Sequence, residues 1–117
     1  MKTLFILNNA PYGDERSYNA IRLAHAVQKE SPDGEIVIFL MADAVGAAKA
    51  QQRTPEGYYN IERMLKRVLA SKGKVLLCGA CMDARGLQDV ELLEGAQRGT
   101  MDELAQETIA SDHTLVF

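Results

Sequence analysis

Residues 36–41, Ile36-Val37-Ile38-Phe39-Leu40-Met41, form an unbroken apolar run with no polar residue on either of its alternating faces. A strand of this kind cannot leave one side in water and needs a sheet covered by helices on both faces. Leu4 to Leu7 and Val75 to Leu77 are shorter runs of the same character, each ending in turn formers or small residues. Helical apolar spacing separates them, so the order strand, helix, strand, helix, strand, then helix and strand predicts an α/β fold with a parallel sheet. With 117 residues, the chain is expected to be one domain over residues 1–117.

Between the strands, residues 14–29 predict a helix through Tyr18, Ile21, Leu23, Ala24, Ala26 and Val27, with Asp14 and Glu15 favourable in its first turn. Ser31-Pro32-Asp33-Gly34 breaks the chain. Residues 42–50 are alanine-rich and predict a short helix, and residues 51–57 read as an exposed loop and a candidate lid. Helical spacing resumes over 58–71 through Ile61, Met64, Leu65, Val68 and Leu69, and Gly73 stops it. A short strand is expected near residues 93–97. Thr100 and Glu103 form a capping box for a helix over 100–110, with Met101, Leu104 and Ile109 expected to be buried. Residues 113–117 form the last strand, and the methionines Met41, Met64, Met82 and Met101 are expected to fill gaps in the core or at an interface.

Composition removes several function classes. The formal charge is −3 and no basic run or cluster is visible in the sequence, which argues against a nucleic-acid partner. The N-terminal apolar stretch is too short for a signal peptide, and no run approaches the roughly 20 apolar residues of a membrane span. A cytoplasmic location without membrane association is therefore expected, where cysteines serve as thiols, ligands or redox centres rather than staples. No glycine-rich phosphate loop follows the first strand, so no nucleotide cofactor is expected, nor any other. His25 and His113 lack ligand spacing, one C-x-x-C supplies only two of the four ligands a structural zinc needs, and no metal is expected.

The only two cysteines stand three apart, in Cys78-Gly79-Ala80-Cys81, at the end of the third strand. In parallel sheets, functional groups collect beyond the carboxyl ends of the strands, and residues 8–13, 41–43 and 78–86 are the loops expected there. Cys78 precedes a segment able to start a helix, so backbone N–H groups and the Arg85 cation are the candidates for stabilising its thiolate, the nucleophilic form. A depressed Cys78 pKa would indicate chemistry, and an elevated one would indicate a cysteine that merely packs. Cys81 allows a dithiol step. Asn9 and Tyr12 in the first loop and Gly79 beside the thiol are the candidates for substrate binding; for Asn9 and Tyr12, turn geometry alone is the competing explanation.

Asn8-Asn9-Ala10-Pro11-Tyr12-Gly13, the segment from Leu77 through Cys78 and Cys81 to Arg85-Gly86, and Glu94 to Met101 together resemble the DsrE/DsrF-like family, in particular its YchN-like branch, over essentially the whole chain. The resemblance implies a three-layer α/β/α fold around a five-stranded parallel sheet and a homo-oligomer, trimer or hexamer. It also implies sulfur relay: a sulfurtransferase-like carrier holding sulfane sulfur as a persulfide on Cys78, with donor and acceptor proteins as partners. Cys81 departs from the single-cysteine carriers and leaves a thiol–disulfide redox protein open. A third alternative is a non-enzymatic small-molecule-binding module.

Overall fold

The structure is a computed structural model and describes residues 1–55 and 59–117. Its strands are β1 (Lys2–Leu7), β2 (Glu35–Leu40), β3 (Lys74–Cys78), β4 (Gln97–Gly99) and β5 (His113–Val116); its helices are α1 (Arg16–Glu30), α2 (Ile61–Ala70), α3 (Gly79–Ala84) and α4 (Met101–Ala110). All pairings are parallel, and the sheet order is β4-β3-β2-β1-β5. The expected five-stranded parallel α/β architecture is what the chain adopts. Among the described residues no helix is long and apolar enough to cross a membrane.

Sheet order dictates the layers. From β1 to β4 the chain steps in one direction, so right-handed crossovers put α1, α2 and α3 on one face. The last connection jumps back across the sheet to β5, and the same handedness then puts α4 on the opposite face. The two cores reflect this split. The larger one joins Phe5, Leu7, Ile38, Leu40, Val75 and Leu77 to the helices α1–α3 and a 3₁₀ segment, Ala42–Ala48. The smaller one holds Leu4, Val37, Phe39, Leu76 and, from α4, only Leu104.

Local chemistry accounts for the helix starts. The Asp14 carboxylate accepts the Arg16 N–H at 2.9 Å, so the acids sit just ahead of α1 rather than inside its first turn. Asn60 caps α2 by accepting the Arg63 N–H at 3.0 Å, and Thr100 caps α4 by accepting the Glu103 N–H at 3.1 Å. Of the helix expected over 42–50, Ala42–Ala48 winds as a 3₁₀ segment. Gly57 and Tyr58, at the end of the expected lid loop and the start of the expected helix, lie outside the described residues.

Three expectations change. The fourth strand is Gln97–Gly99, not 93–97: Leu93 is buried under the 3₁₀ segment, its N–H donated to the Ala48 carbonyl at 2.9 Å, and it works as a loop plug. Met101 and Ile109 are 60% and 86% exposed rather than buried, because α4 alone covers its face and presses only Leu104 onto it. Met101 thus leaves the core set, whereas Met82 is fully buried.

Candidate functional site

β3 and β4 are neighbours whose chains leave in opposite senses, β3 into α3 on one face and β4 toward α4 on the other. The crevice outside such a pair is the topological switch point, where α/β sheets bind and react. Cys78 is the last residue of β3, in register with Gly99 at the end of β4. The two-cysteine segment therefore begins at the switch point.

The strand passes directly into α3, with Cys78 as the N-cap residue. Its Sγ accepts the Cys81 N–H at 3.4 Å, in the turn that brings the second thiol beside the first. Both cysteines are free and half-buried. Cys78 packs with Ile6 and Met41 against the smaller core, Cys81 against the larger, so the pair straddles the end of the sheet.

Their electrostatics divide them. Burial, then the hydrogen bond to Cys81, pushes the Cys78 thiol up. That same hydrogen bond pulls Cys81 down, helped by the Ala42 backbone N–H and the Arg85 charge. Ala42 adopts φ 49°, a left-handed conformation costly for alanine, at the turn that brings its N–H toward Cys81. The expectation that Arg85 would serve Cys78 is corrected. Arg85 donates from its NH1 nitrogen to the Cys81 carbonyl at 3.0 Å and from Nε to Asp43 at 2.9 Å, so its charge falls on Cys81. Cys78 is raised, the direction set out above for a cysteine that packs, and the thiolate is favoured at Cys81 instead.

A pulse of iodoacetamide should therefore label Cys81 several-fold faster than Cys78, with the Cys81 rate rising at lower pH than for an ordinary cysteine near 8.5. A lowered pKa means that the reactive thiolate is already populated below that point, and Arg85→Gln should move the midpoint upward. Peptide mapping across a pH series checks this; preferential labelling of Cys78 would contradict it.

Gly79 is a positioning element. A Cβ built there would lie 2.6 Å from the Arg98 NH1 nitrogen and 3.1 Å from its Cγ, so the Arg98 side chain occupies the space a larger residue would fill. Arg98 donates to Asp83 at 2.8 Å and Asp89 at 3.0 Å, tying β4 to α3 and to the loop beyond it. The two aspartates hold its charge firmly, and Arg98 in turn lowers Asp83. Gly79→Ala should destabilise the wild type but stabilise an Arg98→Ala background by about 0.5 kcal/mol, the ordinary helix preference for alanine. Urea denaturation of the four proteins reads the sign change, and the same sign in both backgrounds would refute the contact. Arg98 escaped sequence reading because its short, polar strand carries no apolar signal.

Asn9 and Tyr12 are not brought to the cysteines. The Asn9 amide donates to Asp14 at 2.8 Å and its carbonyl accepts from Ser17 at 2.7 Å, which pins the loop to α1. The Tyr12 hydroxyl donates to Gln52 Oε1 and accepts the Ile61 N–H at 3.2 Å, clamping that loop onto the start of α2. Both are explained by loop geometry. Asp43 and Arg85 instead line a shallow cleft of about 200 Å³ with Lys49 and Glu91.

Relatives match the chain along nearly its whole length. The chain is 40% identical over 116 residues to protein YchN of Escherichia coli, covering 99% of this chain and 98% of that one. It is 38% identical over 117 residues to an uncharacterised protein of Methanocaldococcus jannaschii, with full coverage of both. The crystal structure of ychN protein from E. coli superposes with a TM-score of 0.94, covering 99% of this chain and 98% of that chain. A protein of unknown function from Methanobacterium thermoautotrophicum, 15% identical with 96% of each chain covered, shares the fold at a TM-score of 0.69. The model of the DsrE/DsrF-like family matches residues 1–117, and the chain belongs to that family, in its YchN-like branch.

Proposed function

We propose that the protein is a sulfur-relay carrier that holds sulfane sulfur as a persulfide on Cys78, with Cys81 as its proton partner. The observation that supports this reading most is the hydrogen-bonded pair of free, half-buried thiols at the end of β3. Cys78 carries the proton and Cys81 is the favoured thiolate. As Cys78 Sγ attacks the outer sulfur of a donor persulfide, its proton passes to Cys81. The donor S–S bond breaks, the donor thiolate leaves with the electron pair, and the Cys78 persulfide forms. An acceptor thiolate then attacks that outer sulfur and leaves with it, returning Cys78 as a thiolate that recovers its proton from Cys81.

The same contact favours a second outcome. A deprotonated Cys81 can attack Cys78 Sγ in the persulfide, expel hydrosulfide and close a Cys78–Cys81 disulfide, which an external thiol must then reduce. Intact-protein mass spectrometry after reduction and exposure to polysulfide separates the two. One retained sulfur supports the carrier, whereas a loss of two hydrogens with no retained sulfur supports the dithiol reading.

A further inference from the structure

A second feature lies away from the cysteines. Between α1 and α2 runs an open groove of about 400 Å³ whose walls are two helix faces, with Tyr18, Arg22 and His25 on one and Arg63, Met64 and Arg67 on the other. The chain has 16 acidic against 13 basic residues, yet no carboxylate among the described residues lies in salt-bridge distance of Arg22, Arg63 or Arg67. Arg63 and Arg67 are spaced i, i+4, an unfavourable placement of like charges that no salt bridge among the described residues offsets. Arg22 is preordered: its guanidinium lies 5.6 Å over the Tyr18 ring and donates to Asn19 at 3.1 Å. Tyr18 itself packs on Tyr59 with ring centroids 4.2 Å apart, giving one end of the groove an aromatic wall. His25 Nε2 is 2.8 Å from the Met64 carbonyl, and burial lowers its pKa, so the groove's charge near neutrality comes from the arginines.

We propose that this groove binds a small phosphorylated molecule, its phosphate held by Arg22, Arg63 and Arg67. Guanidinium groups meet phosphate oxygens in bidentate pairs, and three of them match a dianion spanning two helices. A volume of about 400 Å³ exceeds what one phosphate needs and lies in the range of small-ligand sites, leaving the tyrosine wall for a planar group. The chemistry is that of a nucleotide-sized phosphate ester. The proposal is independent of the sulfur-carrier reading.

Calorimetric titration of the full chain with inorganic pyrophosphate and with ADP, at constant ionic strength set by sodium chloride, tests it. Saturable binding of both probes is expected, with ADP the tighter of the two. Arg63→Gln/Arg67→Gln should weaken binding at least tenfold and Arg22→Gln should weaken it severalfold; all three side chains are exposed, so the fold should survive, as circular dichroism would show. Lys29→Gln, a cation on α1 outside the groove, should change affinity less than twofold. Absence of saturable binding at millimolar probe would overturn the proposal. So would wild-type affinity in the double variant, or an equal loss in Lys29→Gln.

Discussion

Cys78→Ser protein treated with polysulfide should retain no sulfur, while the wild type and Cys81→Ser each gain it. A serine hydroxyl preserves the size of the side chain and can still accept the Cys81 N–H, so the turn into α3 should survive and the loss should be chemical. The expected effect is complete, because a hydroxyl near neutral pH is neither a thiolate nor able to hold sulfane sulfur, and Cys81 loses with the Cys78 thiol the contact that most lowers its pKa. Cys81→Ser removes the proton acceptor and one of the influences raising Cys78, so loading should persist, and the loaded form should be longer-lived because no second thiol can expel hydrosulfide. Sulfur found on Cys81 in the Cys78→Ser protein would transfer the carrier role to Cys81, where the thiolate is favoured, and would defeat the proposed assignment. Mass spectrometry of tryptic peptides distinguishes these cases.

Phe39→Ala should cost about 3–5 kcal/mol, a large part of the 5–15 kcal/mol typical of a domain. Phe39 is 1% exposed on the central strand and is the largest side chain of the smaller core, whose other buried members among the described residues are Leu4, Val37, Leu76 and Leu104, with Ile6, Met41 and Cys78 packed against them. So small a layer has few neighbours able to collapse into the space. The ring also supports β4, because a Cβ on Gly99 would meet it at 3.3 Å, and Gly99 is the register partner of Cys78. Phe39→Leu, which keeps most of the volume, should cost less than about 1.5 kcal/mol. Urea midpoints of the two variants give the comparison; a loss below about 1 kcal/mol for Phe39→Ala would show that another layer carries this face.

β2 and β3 were legible because a strand buried on both faces must be apolar throughout, and no alternation blurs the signal. Cys78 at the end of β3 was legible for the same reason: where a buried parallel strand stops, a loop at the functional edge begins. β4 was not, since an edge strand exposed to water carries polar residues such as Gln97 and Arg98 and looks like a loop. Periodicity likewise overstated α4. It marks Met101, Leu104 and Ile109 as one face but cannot say how much of that face meets the sheet.

The class of fold, the order of its main elements and the place of the dithiol follow from local runs of apolar residues and from what ends them. Which thiol is the favoured thiolate follows only from packing. The approach of Ala42 to Cys81 depends on the turn after β2 meeting the junction of β3 and α3 at one edge, and only there do burial and Arg85 set the two thiols apart. Packing also gave Asn9 and Tyr12 hydrogen-bond partners in Asp14 and Gln52, which the sequence did not indicate. And it gathered Arg22 with Arg63 and Arg67 in one groove, although Arg22 lies far from the other two along the chain. Charge density in a sequence is counted along a line, whereas a ligand meets it across two packed helices.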